Sequence, residues 1–301
     1  MIINMDLEKL KNKIEAEKDI GKIGLFVEQI RTINEEGVRN LINDLDLEGL
    51  KVKIENEEDG EKVASCISQV VCANPKVAKK LVDGLNLEIL KKEIEDEENI
   101  RGVFRFIPSE MNEEFAKKLI LIIEDKIRAE EDIREIGWGI GEIAWANPSF
   151  AEKLLKALDL KLLMSKIEAE EDIGYIDVLM EGIEEGSKEV MINLLNKLDL
   201  KKLKSQIEAE EDIMSIGMFI RRVAYENIKV ADRLTKSLDI KRLKDKIESE
   251  KDVGKISLCI EGITEASEET TSKLVNQLDP EKAKTHKVRK NIIELKKEYQ
   301  K

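Results

Sequence analysis

The sequence predicts an all-α protein built from about seven similar repeats, and three observations support this fold class. When the chain is aligned on an Ile-Glu-x-Glu signature, the isoleucine of the signature recurs at Ile14, Ile54, Ile94, Ile127, Ile167, Ile207 and Ile247. They are 40 residues apart, except for one step of 33 residues. Apolar residues recur at spacings of three and four, and no segment alternates with the period of two expected of a strand. Repeats of this length are typical of stacked helical units with a continuous core.

Each copy predicts three helices, and each helix is expected to begin at a capping residue. Side chains of Asp, Asn and Ser accept hydrogen bonds from the free amides of a first helical turn. The predicted caps of a short helix are Asp6, Asp46, Asn86, Asp159, Asp199 and Asp239. Those of the longer helix that follows are Asp19, Asp59, Asn99, Asp132, Asp172, Asp212 and Asp252. Those of the third helix are Asn34, Asn74, Asn112, Asn147, Ser187 and Ser267.

The third copy is irregular, near residues 100–127. Pro108 falls inside its long helix, where proline removes a backbone hydrogen bond and clashes with the preceding turn. We expect this long helix to end early and the next two helices to be shortened or fused through residues 117–127. Two interpretations stay open. The irregular repeat is either a hinge or change of superhelical pitch, or a tolerated deletion without a role.

The repeats stop after Asp279, which divides the chain into a repeat region, 1–279, and a C-terminal segment, 280–301. Within this segment, 281–301 predict one more amphipathic helix, with Val288, Ile292, Leu295 and Tyr299 on one stripe. Because terminal repeats need a polar outer face, we expect a C-terminal capping helix. The segment is also basic, with eight Lys or Arg against three Glu. A tail that recruits nucleic acid or a membrane is the alternative.

The charge of the chain argues against a general nucleic-acid binder. The formal net charge is −13, and the repeat region alone is near −18. Nucleic-acid binders need Lys and Arg to neutralise phosphates, so a protein or peptide with a basic face is the expected partner. No membrane partner is expected either, because the longest apolar run, Leu119–Ile123, is far too short to span a bilayer.

The cysteines predict an intracellular, cytoplasmic protein. The chain has three cysteines and no Cys-x-x-Cys motif, and its first ten residues lack the pattern of a signal peptide. Cys66 and Cys259 share a repeat position at which other copies have Phe26, Phe106, Leu179 and Phe219. We therefore expect both thiols to be buried in the core rather than paired in a disulfide.

The sequence signatures of common enzymes are missing. The single histidine, His286, lies in the basic C-terminal segment, so it cannot form a Ser-His-Asp or Cys-His relay or a histidine metal site in the repeats. No phosphate-binding loop is present. Carboxylates are abundant, but they recur in register with the repeat. We expect no catalysis, no metal and no cofactor.

The long helix of the fourth copy resembles that of an armadillo repeat. Trp138-Gly139-Ile140-Gly141-Glu142-Ile143-Ala144 stands where that family carries a Trp-Ala-Leu-Gly-Asn-Ile-Ala-like stretch. The helices that begin at Asn147 and Asp159 are similar to the family's first and second helices. The resemblance covers about residues 6–279, and the neighbouring HEAT family is the alternative. It implies a right-handed α-solenoid whose long helices line a concave groove.

In peptide-importing armadillo proteins, ladders of Trp and Asn grip an extended basic peptide. The Trp position here holds Leu25, Ser65, Arg105, Trp138, Val178, Met218 and Leu258. The Asn position holds Gln29, Gln69, Ser109, Glu142, Gly182, Arg222 and Gly262. With one Trp and no Asn, the resemblance implies binding in the groove but not that particular ligand.

One face of the long helices carries the candidate binding residues. Positions four and seven residues after the Trp position share its helix face, and aromatic residues concentrate there in copies four to six. Trp, Tyr, Met and Arg dominate protein interfaces, so this face is the predicted centre of partner binding. The alternative is that the rings fill space between repeats. The predicted site residues are Trp138, Glu142, Trp145, Tyr175, Met218, Arg221, Arg222 and Tyr225.

Acidic residues also recur just before the long helices, for example Glu168, Glu170 and Glu171. Stacking of the repeats predicts that they line up as a ridge. Such a ridge could steer a basic partner. Alternatively, it is structural, because an acid near a helix N-terminus interacts favourably with the helix dipole by about 0.3–1 kcal/mol.

The sequence therefore predicts a non-catalytic scaffold, expected to be monomeric, that binds a protein or peptide along its groove. A HEAT-like DNA-binding or DNA-repair solenoid is one alternative. That function needs a basic concave face, for which Arg105, Arg221 and Arg222 are too few. The sensor or scaffold arm of a larger signalling assembly is another alternative.

Overall fold

The computed structural model describes residues 7–83, 85–86, 88–96, 100, 103, 107 and 113–299. Their regular structure is helical, and none of these residues lies in a strand. The predicted all-α class is confirmed. None of the helices in this part of the chain is long and apolar enough to cross a membrane.

The chain forms two compact units. Unit 1 comprises Met1–Glu131 and Trp138–Ala157, and unit 2 comprises Asp132–Gly137 and Leu158–Lys301. The helices of unit 1 are α1 Leu7–Ala16, α2 Ile20–Ile33, α3 Glu35–Asn43, α4 Leu47–Glu55, α5 Gly60–Ala73, α6 Pro75–Asp83, α7 Glu88–Asp96, α8 Glu113–Ala129 and α10 Pro148–Ala157. Helix α9, Ile133–Ala146, begins in unit 2 and continues in unit 1. The other helices of unit 2 are α11 Leu160–Ala169, α12 Ile173–Gly186, α13 Lys188–Lys197, α14 Leu200–Ala209, α15 Ile213–Glu226, α16 Ile228–Ser237, α17 Ile240–Ser249, α18 Val253–Ala266, α19 Glu268–Gln277 and α20 His286–Tyr299.

The helices of unit 2 follow one order of lengths. Each of α12, α15 and α18 has 14 residues, and the helices between and after them, α13, α14, α16, α17 and α19, have 10 residues each. This order matches the predicted unit of one long helix and two shorter ones.

The predicted caps explain where the helices begin. The side chain of Asp172, for example, accepts hydrogen bonds from the amides of Gly174 and Tyr175 at 2.8 and 3.2 Å. Predicted caps that accept a first-turn amide in this way are Asp19, Asn34, Asp46, Asp59, Asn74, Asn86, Asp132, Asn147, Asp159, Asp172, Ser187, Asp199, Asp212, Asp239, Asp252 and Ser267. The caps predicted at Asp6, Asn99 and Asn112 lie outside the described residues.

The irregular third copy contains one continuous helix where other copies have two. Helix α8 is 17 residues long and buries Phe115, Leu119, Ile123 and Ile127, four residues apart along one stripe. The prediction that the two helices fuse here is confirmed. The predicted early end of the preceding long helix at Pro108 lies outside the described residues.

The C-terminal helix begins later than predicted. Residues 280–282 form a short 3-10 helix, in which Asp279 accepts the amide of Glu281 at 3.0 Å. Helix α20 then starts at His286, because the Thr285 hydroxyl accepts the amide of Val288 at 3.1 Å and so caps the new first turn. The predicted start at residue 281 is therefore wrong, although the amphipathic helix itself is confirmed.

Two of the cysteines lie in the core, as predicted. Cys66 and Cys259 are fully buried, and burial raises the pKa of each thiol to about 12. Leu179 and Phe219, at the same repeat position, are also fully buried. Phe26 differs, because its ring is only half-buried and lies 4.2 Å from the ammonium group of Lys13.

The glutamates of the repeat signature are bonded to backbone amides. The first glutamate accepts the amide of the residue that caps the next copy's short helix, 31 residues later. These bonds are Glu15 with Asp46, Glu55 with Asn86, Glu208 with Asp239 and Glu248 with Asp279, at 2.6–3.1 Å. The second glutamate accepts the amide of its own copy's long-helix cap, as in Glu17, Glu170, Glu210 and Glu250. These contacts favour the structural interpretation of the acidic ridge, through specific hydrogen bonds as well as the helix dipole.

Side-chain donors also connect consecutive copies, and here the later copy supplies the side chain. Each donor forms a hydrogen bond with a backbone carbonyl at the end of the preceding copy's short helix, where donors and positive charges are favourable. Gln206 donates to the carbonyl of Ile167 at 2.9 Å, and Lys53 donates to that of Glu15 at 2.6 Å. The donors are Lys53, Lys126, Gln206 and Lys246.

Candidate functional site

The predicted site residues lie on three long helices and belong to both units. Unit 1 holds Trp138, Glu142 and Trp145, all on α9. Unit 2 holds Tyr175 on α12, and Met218, Arg221, Arg222 and Tyr225 on α15. The two groups are described in turn.

The unit 1 group presents two tryptophans to solvent. Trp145 is 85% exposed and Trp138 is 40% exposed, whereas Ile140 and Ile143 of the same helix are fully buried. Glu142, between the two rings along the helix, is half-buried. Since Trp145 is almost entirely in solvent, the alternative that its ring fills space between repeats is wrong for this residue.

Tyr175 differs from the other rings because it is half-buried. Its ring lies beneath the guanidinium group of Arg134, 3.8 Å from the ring centroid. The same guanidinium group forms a 2.6 Å ion pair with Asp132, and this hydrogen bond lowers the pKa of the Asp132 carboxyl. The contact is a cation–π interaction at the beginning of α9 and α12. It leaves less of Tyr175 free for a partner than the sequence predicted.

Tyr225 and Met218 are the exposed residues of the unit 2 group, at 63% and 44%. Arg221 holds Tyr225 in place by donating to its hydroxyl from Nε and Nη2, at 2.9 and 2.7 Å. The tyrosine hydroxyl in turn donates to Glu265 of α18 at 3.2 Å, and the same carboxylate lies 3.3 Å from Arg221. Tyr225 is therefore an exposed ring whose orientation is fixed from two helices.

Arg222 has a structural position rather than the open one predicted for a binding residue. It is 17% exposed and lies between α12 and α15, where it pairs with Asp177 at 2.6 Å. It also reaches Glu184 at 2.8 Å and Glu181 at 3.4 Å. Although burial works against its charge, the hydrogen bond to Asp177 and these carboxylates raise the pKa of Arg222.

Exposed carboxylates also lie on the two long helices that pack against α15. Glu181 and Glu185 are exposed on α12, and Glu261 is exposed on α18. Although the residue is exposed, partial desolvation of its carboxyl group, and then repulsion by Glu181, raise the pKa of Glu185. The aromatic ring of Tyr225 and the thioether of Met218 can contact apolar groups, and the exposed carboxylates can attract cationic ones.

Sequence reasoning missed Glu265, Asp177 and Glu184. A signal for Glu265 was present, because it lies 40 residues after Tyr225 and so occupies the same repeat position in the next copy. Asp177 gave no comparable signal. An aspartate within an apolar helix pattern does not disclose that an arginine 45 residues later is its partner.

Comparisons with known proteins give no family assignment. No family model matches the chain, and no curated protein matches it. One solved structure, described as "Computational Design of Self-Assembling Cyclic Protein Homooligomers", is 13% identical to this chain and aligns with a TM-score of 0.19. The alignment covers 98% of this chain and 92% of that chain. A TM-score of this size carries no argument, so the resemblance to armadillo repeats stays a prediction.

Proposed function

We propose that the protein is a non-catalytic, armadillo-like scaffold that binds a protein or peptide with the exposed face of its long helices. In this proposal about seven repeats form a right-handed solenoid, and 280–301 cap its end. The observation that carries the proposal is the exposure of Trp145 and Tyr225, two aromatic side chains at the same repeat position.

Exposed rings at one repeat position suit an interface. Large aromatic side chains bury much area for little loss of conformational entropy, so they dominate the energy of protein interfaces. Tyr225 is held by Arg221 and Glu265, which reduces the entropy lost when a partner contacts it. Met218 adds a flexible apolar surface on the same helix.

The charge of the molecule supports a basic partner. The chain carries 64 acidic against 51 basic residues, and the exposed carboxylates Glu181, Glu185 and Glu261 lie on the helices that pack against α15. Complementary charge mainly increases the rate of association and selects among partners. We therefore propose a peptide or protein face that combines apolar and cationic side chains.

Selection of peptides from a displayed random library against the purified chain tests the proposal. Enriched peptides should contain Lys or Arg together with apolar residues, and their affinity should fall at higher salt. Trp145→Ala or Tyr225→Ala should weaken binding of the corresponding peptides about thirtyfold, the effect of losing a hot spot of about 2 kcal/mol. Circular dichroism would confirm that both variants stay folded.

Leu121→Ala provides the control, because Leu121 is an exposed apolar residue on α8, which is not one of the long helices of the proposed face. It should leave peptide affinity unchanged. Peptides that bind the Trp145 and Tyr225 variants as tightly as the unmodified chain would show that the proposed face is not the binding surface.

A further inference from the structure

Successive long helices pack against each other in unit 2, and their contacts are of two kinds. We call each contact between two successive long helices a joint. At each joint, a residue of one long helix faces the residue 45 positions later, on the next long helix. In three successive joints, the facing residues are Gly137 with Gly182, Asp177 with Arg222, and Gly217 with Gly262. The first residues of these pairs are 40 positions apart, so the joints are equivalent positions of the repeat.

The two glycine joints bring backbone against backbone. A Cβ atom on Gly137 would lie 2.6 Å from the Cα atom of Leu179, and one on Gly217 would lie 2.5 Å from the Cα atom of Cys259. Because these neighbours are backbone atoms, no side chain fits between α9 and α12 or between α15 and α18 at these points. Repulsion at such distances rises steeply, so the glycine contact between α15 and α18 fixes the positions of these two helices.

At the equivalent position between α12 and α15, the two glycines are replaced by Asp177 and Arg222. Their side chains do not fit between helices as close as those of a glycine pair, so they hold α12 and α15 further apart. The guanidinium group of Arg222 reaches carboxylates from three positions of α12, Asp177, Glu181 and Glu184. Coulomb energy changes gradually with distance, so this contact tolerates displacement far better than touching backbones do.

We propose that the α12–α15 joint is the hinge of unit 2, at which the two long helices shift as Arg222 exchanges among the carboxylates of α12. The short helices of the same copies stay tied, because Asn227 donates to Asn196 at 3.0 Å and Gln206 donates to the carbonyl of Ile167 at 2.9 Å. The proposed motion therefore changes the distance between α12 and α15, while the hydrogen bonds of Asn227 and Gln206 stay formed. This inference does not depend on the proposed function.

Distances between pairs of nitroxide labels, measured by electron spin resonance in the full chain, compare the two kinds of joint. One pair, on Glu185→Cys and Met218→Cys, spans the α12–α15 joint, and a second, on Met218→Cys and Glu261→Cys, spans the glycine joint between α15 and α18. Both pairs are made with Cys72→Ser, since Cys72 is the cysteine that is only partly buried. Cys66 and Cys259 are buried, so they should not react with the label.

The distance distribution across α12–α15 should be the broader one, because side chains and not touching backbones lie between these two helices. The distribution across α15–α18 should be narrow. Replacing both Asp177→Gly and Arg222→Gly should narrow the first distribution to the width of the second. Equal widths for the two pairs, with Asp177 and Arg222 in place, would overturn the proposal even if the double variant failed to fold.

Discussion

At the residue scale, two adjacent glutamates of α12 have opposite effects on stability. Glu184 accepts a hydrogen bond from Arg222 at 2.8 Å, and this contact would be weakened by loss of the carboxylate. Partial desolvation of the carboxyl group and the neighbouring Glu181 raise the pKa of Glu185, so its charge is disfavoured in the folded chain. A carboxyl with a raised pKa holds its proton more tightly in the folded state, and its ionisation therefore costs stability as the pH rises.

Glu185→Gln should consequently raise the Tm at pH 7, because it removes a charge that folding disfavours. The gain should disappear as the pH falls below the ordinary glutamate value of 4.5, where Glu185 is already neutral in both states. Thermal unfolding followed by circular dichroism across the acidic to neutral range measures both effects. Glu184→Gln is the matched control and should lower the Tm at pH 7. A decrease of Tm in both variants would contradict this account.

At the scale of elements, the two glutamates of the Ile-Glu-x-Glu signature stabilise two different helix starts. Its first glutamate satisfies an amide at the start of the next copy's short helix, and its second satisfies one at the start of its own long helix. Hydrogen bonds to charged groups contribute about 1.5–3 kcal/mol when their loss leaves a partner unsatisfied. The repeat is therefore held by contacts at helix ends as well as by its apolar core.

Glu208→Ala should lower the free energy of unfolding by about 1.5 kcal/mol, the low end of this range, because water can replace the lost acceptor at the exposed amide of Asp239. Urea denaturation measures the change. Glu211, three residues further along, is exposed and forms only a surface ion pair with Lys246, so Glu211→Ala should cost less than about 1 kcal/mol. Equal losses in the two variants would show that the bond to Asp239 does not matter.

Sequence periodicity predicted the helices well because caps and apolar stripes are local signals. Asp172, Asp212 and Asp252 begin the long helices as predicted, since an N-cap acts on amides two or three residues away. The glycine contacts could not be predicted, because Gly217 within a helix shows only a low helix propensity until the neighbouring backbone is known. Arg222 was placed in the open site for the same reason: its partner, Asp177, comes from another helix.

At the scale of the whole molecule, a stack of repeats needs an end that faces water. Helix α20 buries Val288 and Ile292, while Ile293 is exposed. Lys296 donates to the carbonyls of Asn276 and Leu278 at 3.1 and 2.7 Å, which satisfies the end of α19. These contacts attach α20 to the end of α19, and a capping role for the C-terminal segment stays a prediction.

Ile292→Ala should therefore destabilise the protein by about 2–5 kcal/mol, as for other large-to-small changes in a core. The matched variant Ile293→Ala removes the same atoms from an exposed position and should change stability by about 0.5 kcal/mol or less. Denaturant unfolding of both variants separates the two cases. A small effect at both positions would mean that α20 does not contribute to the stability of the repeats.

The 31-residue spacing between each first signature glutamate and the amide that it binds has a consequence for folding. Every one of these bonds closes a loop of the same modest length, so none requires distant parts of the chain to meet first. Proteins whose contacts are local in sequence fold quickly. As the chain leaves the ribosome, each copy can join the one before it as soon as its short helix has emerged, without waiting for the C-terminus.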